Sequence, residues 1–242
     1  MARLLVSHDG GDRGEATSSS ISREEMLRFA PQAVSLEAYD LLAEVDVFMA
    51  RGLSTETIFI ELLAPAARYL GEQWTADRLD FLDVTMGLWR LQEVLREVAA
   101  RTAPHPAPGS GRRILFSPMP GDQHTFGTAM IDECFSRAGW NSSLLIDPSR
   151  ALILSNVAGT EYDIVGLTVS CDCHIGQLKS LIVAIRNVSR NPNVRVMLGG
   201  RLLTEDPGLA SLAGADATAA TALGALELAE QLVAAPFNAA FA

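Results

Sequence analysis

The chain has 242 residues, about half of them apolar (48%), which is enough to bury one large core or two small ones and excludes a disordered chain. Nineteen Lys+Arg stand against 29 Asp+Glu, a formal charge of −10, and no cluster of five basic residues interrupts it, so unaided binding to nucleic-acid phosphates is disfavoured. No run approaches the roughly 18 apolar residues of a membrane span, and the N-terminal MARLLVSHDGGDRG has too short an apolar part for a signal segment, so a cytoplasmic protein is expected. Three cysteines, Cys134, Cys171 and Cys173, make no secreted disulfide framework and agree with a reducing compartment.

Residues 9–20, DGGDRGEATSSS, have almost nothing to bury, and the first 21 residues read as a mobile tail. Ser22 and Glu25 then offer a capping box, and from there to Arg101 the apolar spacing is helical. Leu41, Val45 and Phe48 share one face, Ile58, Leu62, Ala66 and Tyr69 a second, and Val84, Leu88, Leu91, Leu95 and Val98 a third. An all-α bundle of about four helices is expected over 22–101. The stretch 102–111, TAPHPAPGSG, carries three prolines and two glycines, which suits neither a helix nor a central strand, and it is expected to be the linker between two domains.

The period changes in the second domain, 112–242. RILFSP, SSLLID, DIVGLTVS and VRVMLG are short apolar runs, each followed by a stretch of helical composition, and a weak fifth strand is expected at 215–219 before a helix over 223–233. Strands buried on both faces read this way, so the fold class is a helical bundle followed by an α/β domain with a five-stranded, flavodoxin/Rossmann-like parallel sheet. Such sheets bind ligands in the loops at the carboxyl ends of their strands.

Three loops stand at that edge: GDQHTFG (121–127), Ser170-Cys171-Asp172, and Gly199-Gly200. Taken singly, a loop histidine is usually solvated, a serine after a strand is usually a helix cap, and paired glycines usually make a turn. As a set, with 42 residues between Gly127 and Ser170 and 26 between Asp172 and Gly199, they say more. The pattern resembles the cobalamin-binding domains of methionine synthase and methylmalonyl-CoA mutase, marked by DxHxxG, a serine some forty residues on, and GG.

The resemblance implies that His124 is the lower axial ligand of cobalt, with the cofactor's own benzimidazole displaced and buried in the domain. Asp122 would take the other ring N–H, since a carboxylate behind a ligating imidazole orients it and makes it more basic. Ser170 would bond to the displaced nucleotide tail, and Gly127, Gly199 and Gly200 would let backbone approach it. Asp172 departs from the family, which usually has Leu there.

In the same comparison the bundle caps the upper face of the corrin and Trp74 contacts it. The alternative for Trp74 is a core residue at a helix end. Light-sensing relatives have Glu-His nine residues after this tryptophan, the histidine reaching cobalt from above, whereas this chain has Val84-Thr85. That replacement and the run DFLDVTMGLWRLQ resemble the AerR/PpaA group of photosynthesis regulators, antirepressors acting on a CrtJ/PpsR-type repressor. The resemblance implies a light-responsive transcription regulator with no catalytic turnover, carrying adenosylcobalamin or the hydroxo- or aquocobalamin left by photolysis. No helix-turn-helix is evident, which agrees with acting through a protein partner and not on DNA directly.

His8 and His174 are the candidates for an upper ligand, with His105 behind them. Cys171 and Cys173 are expected as thiols, because CDCH lacks the second Cys/His pair a zinc site needs. Two other functions compete: a corrinoid carrier for a methyltransferase, with the same two-domain plan, and a heme-binding redox sensor, against which the intact DxHxxG speaks.

Overall fold

The computed structural model describes residues 20–102 and 111–234, so residues 1–19 of the expected tail, with His8, and 103–110 of the expected linker, with His105, lie outside the described residues. The helical half begins with α1 (Arg23–Phe29), whose capping box forms as the sequence implies: Glu25 N–H donates to Ser22 Oγ at 3.2 Å and Ser22 N–H to Glu25 Oε2 at 2.8 Å. Pro31, which has no N–H to donate, separates α1 from the short α2 (Gln32–Ser35). Three long helical runs follow. They are α3 (Ala38–Ala50), an unbroken run of α4 (Thr55–Thr57), a π-helical segment (Ile58–Leu63) and α5 (Ala64–Thr75), and finally α6 (Phe81–Arg101). Where four helices were expected there are three long ones and two short, because Pro31 cuts the first. Phe29, Leu41, Phe59, Leu70 and Leu91 are fully buried between them. Arg90, also buried in α6, donates to Ala33 O at 3.2 Å and Val34 O at 2.7 Å, so its charge meets the orphan carbonyls of α2.

From residue 113 strands and helices alternate: β1 (Arg113–Pro118), α7 (Phe126–Arg137), β2 (Asn141–Leu144), α8 (Arg150–Gly159), β3 (Ile164–Thr168), α9 (Ile175–Val188), β4 (Arg195–Gly199), α10 (Arg201–Glu205), α11 (Gly208–Ala213), β5 (Ala217–Thr218) and α12 (Ala222–Ala234). The five strands pair in the order β2-β1-β3-β4-β5, every pair parallel, which is the flavodoxin-like order with helices on both faces. Ile114, Leu115, Val165, Val196 and Leu198 are buried in the central strands. No helix among the described residues is long and apolar enough to cross a membrane.

The bundle and the sheet share a core through α7. Its Phe126, Met130 and Cys134 pack among the bundle's buried residues, not the sheet's. Arg137, at the end of α7, donates to Thr102 O at 2.8 Å and Ala99 O at 3.2 Å, satisfying carbonyls that α6 leaves open at its last turn.

Candidate functional site

Because β1, β3 and β4 are adjacent and parallel, their carboxyl ends bring 119–125, 169–174 and 199–200 to one edge. The first loop leaves the sheet with Met119 N–H still donating to Thr168 O at 3.0 Å, then turns through Gly121 at φ +84°. That turn sets the Asp122 carboxylate inside, its side chain 1% exposed, beneath a His124 ring that is 63% exposed. Asp122 Oδ1 accepts from His124 N–H at 3.0 Å and from the ring Nδ1 at 2.7 Å, and Oδ2 accepts from Ser170 N–H at 3.0 Å. Burial works to raise the Asp122 carboxyl, but the bonds from His124 and Ser170 outweigh it and hold its pKa below the usual carboxylate value.

This geometry prepares His124 to be a ligand. With Nδ1–H donated to a carboxylate, the neutral ring carries its lone pair on Nε2, on a side chain that stands in the open. Asp122 therefore fixes both the tautomer and the ring plane.

Ser170 does more than the sequence implied. Its hydroxyl, expected to meet the tail, has no partner among the described residues, while its backbone N–H ties β3 to Asp122. The three glycines also divide. A Cβ on Gly200, at φ +102°, would lie 2.5 Å from Val169 O, so the protein's own backbone requires glycine there. A Cβ on Gly127 would meet nothing within 4 Å, and one on Gly199 only Ala219 O at 3.7 Å, so these two leave room for a ligand.

Trp74 is 49% exposed near the end of α5, and its indole N–H has no partner among the described residues; it is not a core residue. Thr85 is exposed on α6 and donates its hydroxyl to Phe81 O at 2.7 Å, so it offers no substitute for a histidine at that position. His174, the described candidate for an upper ligand, is 8% exposed at the start of α9. Cys171 and Cys173 are joined in a disulfide, where free thiols were expected; two residues apart on a tight turn, their Cα atoms are 5.2 Å from each other, within bridging range. The pair no longer argues for a reducing compartment. Thr128 and Thr168 share a hydrogen bond of 2.7 Å that ties α7 to β3, a contact with no signal in the sequence.

Residues 112–228 match the B12 binding domain family, so this part of the chain is a B12-binding domain and its cofactor is cobalamin. Over 172 residues, 71% of this chain and 89% of the relative, the protein is 26% identical to an uncharacterized 20.5 kDa protein from the bchF-crtJ intergenic region of Rhodobacter capsulatus. The monomethylamine corrinoid protein of Methanosarcina barkeri superposes with a TM-score of 0.71 at 17% identity, over 87% of this chain and 100% of its own, a likeness of fold. A cobalamin-binding protein of Desulfitobacterium hafniense, at a TM-score of 0.47 and 17% identity over 86% of this chain and 98% of its own, adds nothing to that.

The donor set fits the cofactor. Among the described residues no three His, Cys, Asp or Glu side chains converge on a metal position. One bare imidazole nitrogen suits a metal that its own macrocycle would already hold. When bound, cobalamin supplies cobalt–carbon chemistry. Of the chain's own residues, Asp122 holds the His124 ring and Ser170 N–H holds Asp122; His124 would be the residue to hold the group, with Gly127 and Gly199 leaving it room.

Proposed function

We propose that this protein is a light-responsive regulator that uses cobalamin without catalytic turnover, with His124 as the lower cobalt ligand, and acts through a CrtJ/PpsR-type repressor of photosynthesis genes. The observation that carries the regulatory part is the relative from the bchF-crtJ region, matched across 89% of its length. The upper side agrees with it: Thr85 stands where light-sensing relatives have histidine, and its hydroxyl is already bonded to the helix. Half-exposed Trp74 is the bundle's candidate contact to the corrin. The formal charge of −10 favours a protein partner over direct DNA binding.

The test is a UV–visible spectrum of adenosylcobalamin-loaded protein, dark and illuminated, paired with a binding assay on a repressor of that type. A light-induced spectral change with altered repressor affinity is expected. No spectral change and no altered affinity would refute the regulatory reading. A corrinoid carrier for a methyltransferase is the second reading, favoured by the fold shared with the monomethylamine corrinoid protein over both helices and sheet. Methyl transfer from methylcobalamin-loaded protein to a partner enzyme would decide for it.

A further inference from the structure

We propose that this protein associates head to tail with a second copy of itself, the acid-edged apolar face of α3 on one copy seating on the basic-rimmed face of α8 and α9 on the next. Neither face belongs to the cofactor site, so the inference stands apart from the reading of His124.

The α3 face follows from spacing. Tyr39, Ala43 and Val47 recur every fourth residue and Ala50 completes the row, so they share one side of the helix, and all four are exposed, Tyr39 at 81% and Val47 at 62%. The other side, with Leu41, Val45 and Phe48, is buried in the bundle core. At about 100° per residue, Asp46 borders the exposed row on one flank and Asp40 and Glu44 border it on the other. Asp40 and Glu44 meet no cation among the described residues, while Asp46 shares Arg101 at 3.3 Å. An apolar helix row left in water between carboxylates has the form of a helix that lies on a partner.

The complement lies across the sheet. Ile153 and Val157 of α8 and Leu178 and Ile182 of α9 share a core with Leu115 and Val165, whereas Phe135 of α7 shares one with Ile114 and Phe116 on the opposite face. The Arg150 guanidinium donates to Ser180 O at 2.9 Å, and Arg190 N–H donates to Val157 O at 2.8 Å, so α8 and α9 are tied side by side at both ends. Between the ties Leu152 and Val183 stand exposed, and the exposed residues beside Leu152 on α8, Ala151, Ser155 and Ala158, are small enough for a helix to approach closely.

Charge selects the occupant. The chain carries −10, yet no Asp or Glu falls between Asp147 and Glu161 or between Asp172 and Glu205. Exposed Arg150, Lys179 and Arg190 rim the face, and none of them meets a carboxylate among the described residues; Arg186 is already paired with Asp216 at 2.8 Å. A strongly acidic surface repels its own copy, so self-association needs a face without acid on one side of the contact. The α8/α9 face meets that need, and α3 offers it an apolar row with carboxylate edges. The lengths agree, since the row from Tyr39 to Ala50 spans about 16 Å and α8 about 15 Å. One chain cannot bring its own α3 to its own α8, because the bundle joins the sheet through α7, on the other face. The contact is therefore heterologous, each copy giving α3 to one neighbour and α8/α9 to another.

Sedimentation velocity on the full chain tests this. Wild type should grow beyond a monomer as concentration rises. Val183→Asp spoils the α8/α9 face and Val47→Asp the α3 row; both replace exposed side chains, so both should keep the wild-type circular dichroism and cobalamin affinity. Each variant alone should associate at least about tenfold more weakly. Mixed one to one, they should form a dimer that grows no further, because the mixture retains one intact face of each kind. Lys179→Glu, which reverses a rim charge, should weaken association in the same direction. A wild type that stays monomeric up to about 1 mM overturns the proposal. So does a mixture that stays monomeric, or any of the three variants associating alone as wild type does; if only the Val47→Asp protein still associates, the α8/α9 face pairs with its own kind and α3 has no part in it.

Discussion

Asp122 is the residue on which the site depends, and Asp122→Asn tests it with almost no change in volume. The carboxylate accepts three hydrogen bonds, at 3.0 and 2.7 Å from His124 and 3.0 Å from Ser170, on a side chain 1% exposed. An amide has one acceptor oxygen. Turned toward His124, it keeps those two bonds and sets its NH2 against Ser170 N–H. Turned the other way, it faces His124 N–H with a donor and drives the ring proton to Nε2, where the lone pair was needed. Either orientation leaves at least one buried donor unpartnered, at about 1–3 kcal/mol, and also loses the charge on the surviving bonds. Apo-protein stability should fall by about 2–4 kcal/mol in urea unfolding. Removing a partner of this kind commonly lowers metal affinity about 10–100-fold, and a cobalamin titration should show a loss of that order. A folded Asp122→Asn protein that binds cobalamin with wild-type affinity and spectrum would refute the orienting role.

Three further outcomes follow from the same structure. Gly200→Ala should lose about 2 kcal/mol or more of stability in thermal or urea unfolding, because a Cβ at φ +102° would meet Val169 O at 2.5 Å, while Gly127→Ala, with open space on α7, should fold normally and lose cobalamin affinity alone. Burial raises the half-buried Asp132 carboxyl above its ordinary value, with Ser142 Oγ–H opposing and the Glu133 charge adding to the rise. The stability this gives is fully present below the unfolded pKa of about 3.9 and is lost as pH rises through the higher folded pKa, so Asp132→Asn should flatten the urea midpoint across that window. Alkylation at pH 8 should label no cysteine in the native protein, Cys171 and Cys173 after mild reduction, and Cys134 only on unfolding, since burial pushes that thiol up to about 12.

The sheet was legible because strands buried on both faces leave unbroken apolar runs, and four of them begin and end within a few residues of the observed β1 to β4. The weakest was SSLLID: β2 starts at Asn141 and stops at Leu144, as befits an edge strand held on one side, and Asp147 just beyond takes φ +50°. The Asp122–His124 pair was implied by the DxHxxG resemblance, and its two partners stand only two residues apart. The Ser170 bond could not be read, because it uses a backbone N–H that any residue type possesses. Burial of His174, the clash that demands Gly200 and the Thr128–Thr168 bond likewise arise from elements far apart in the chain, which no spacing rule reports.

The sequence also suggested two domains joined by a linker, and α7 limits how independent they are. The helix starts two residues after His124, buries Phe126, Met130 and Cys134 in the bundle core, and ends on Arg137, which holds the last carbonyls of α6. A change at His124 therefore acts on the first turn of an element whose opposite end is bonded to the bundle. Packed cores respond to such a shift by repacking and not by bending freely. For a regulator this is a useful connection, because a partner that reads the bundle needs no contact with the corrin. Coupling still requires two arrangements of α7 that the ligated and unligated states favour unequally. Arg137→Ala is the variant that separates the two ends: it should leave cobalamin affinity close to wild type, since Arg137 lies at the far end of α7 from His124, and weaken whatever response the bundle gives to light. A full light response at the partner in that variant would show that the signal leaves the cofactor by another route.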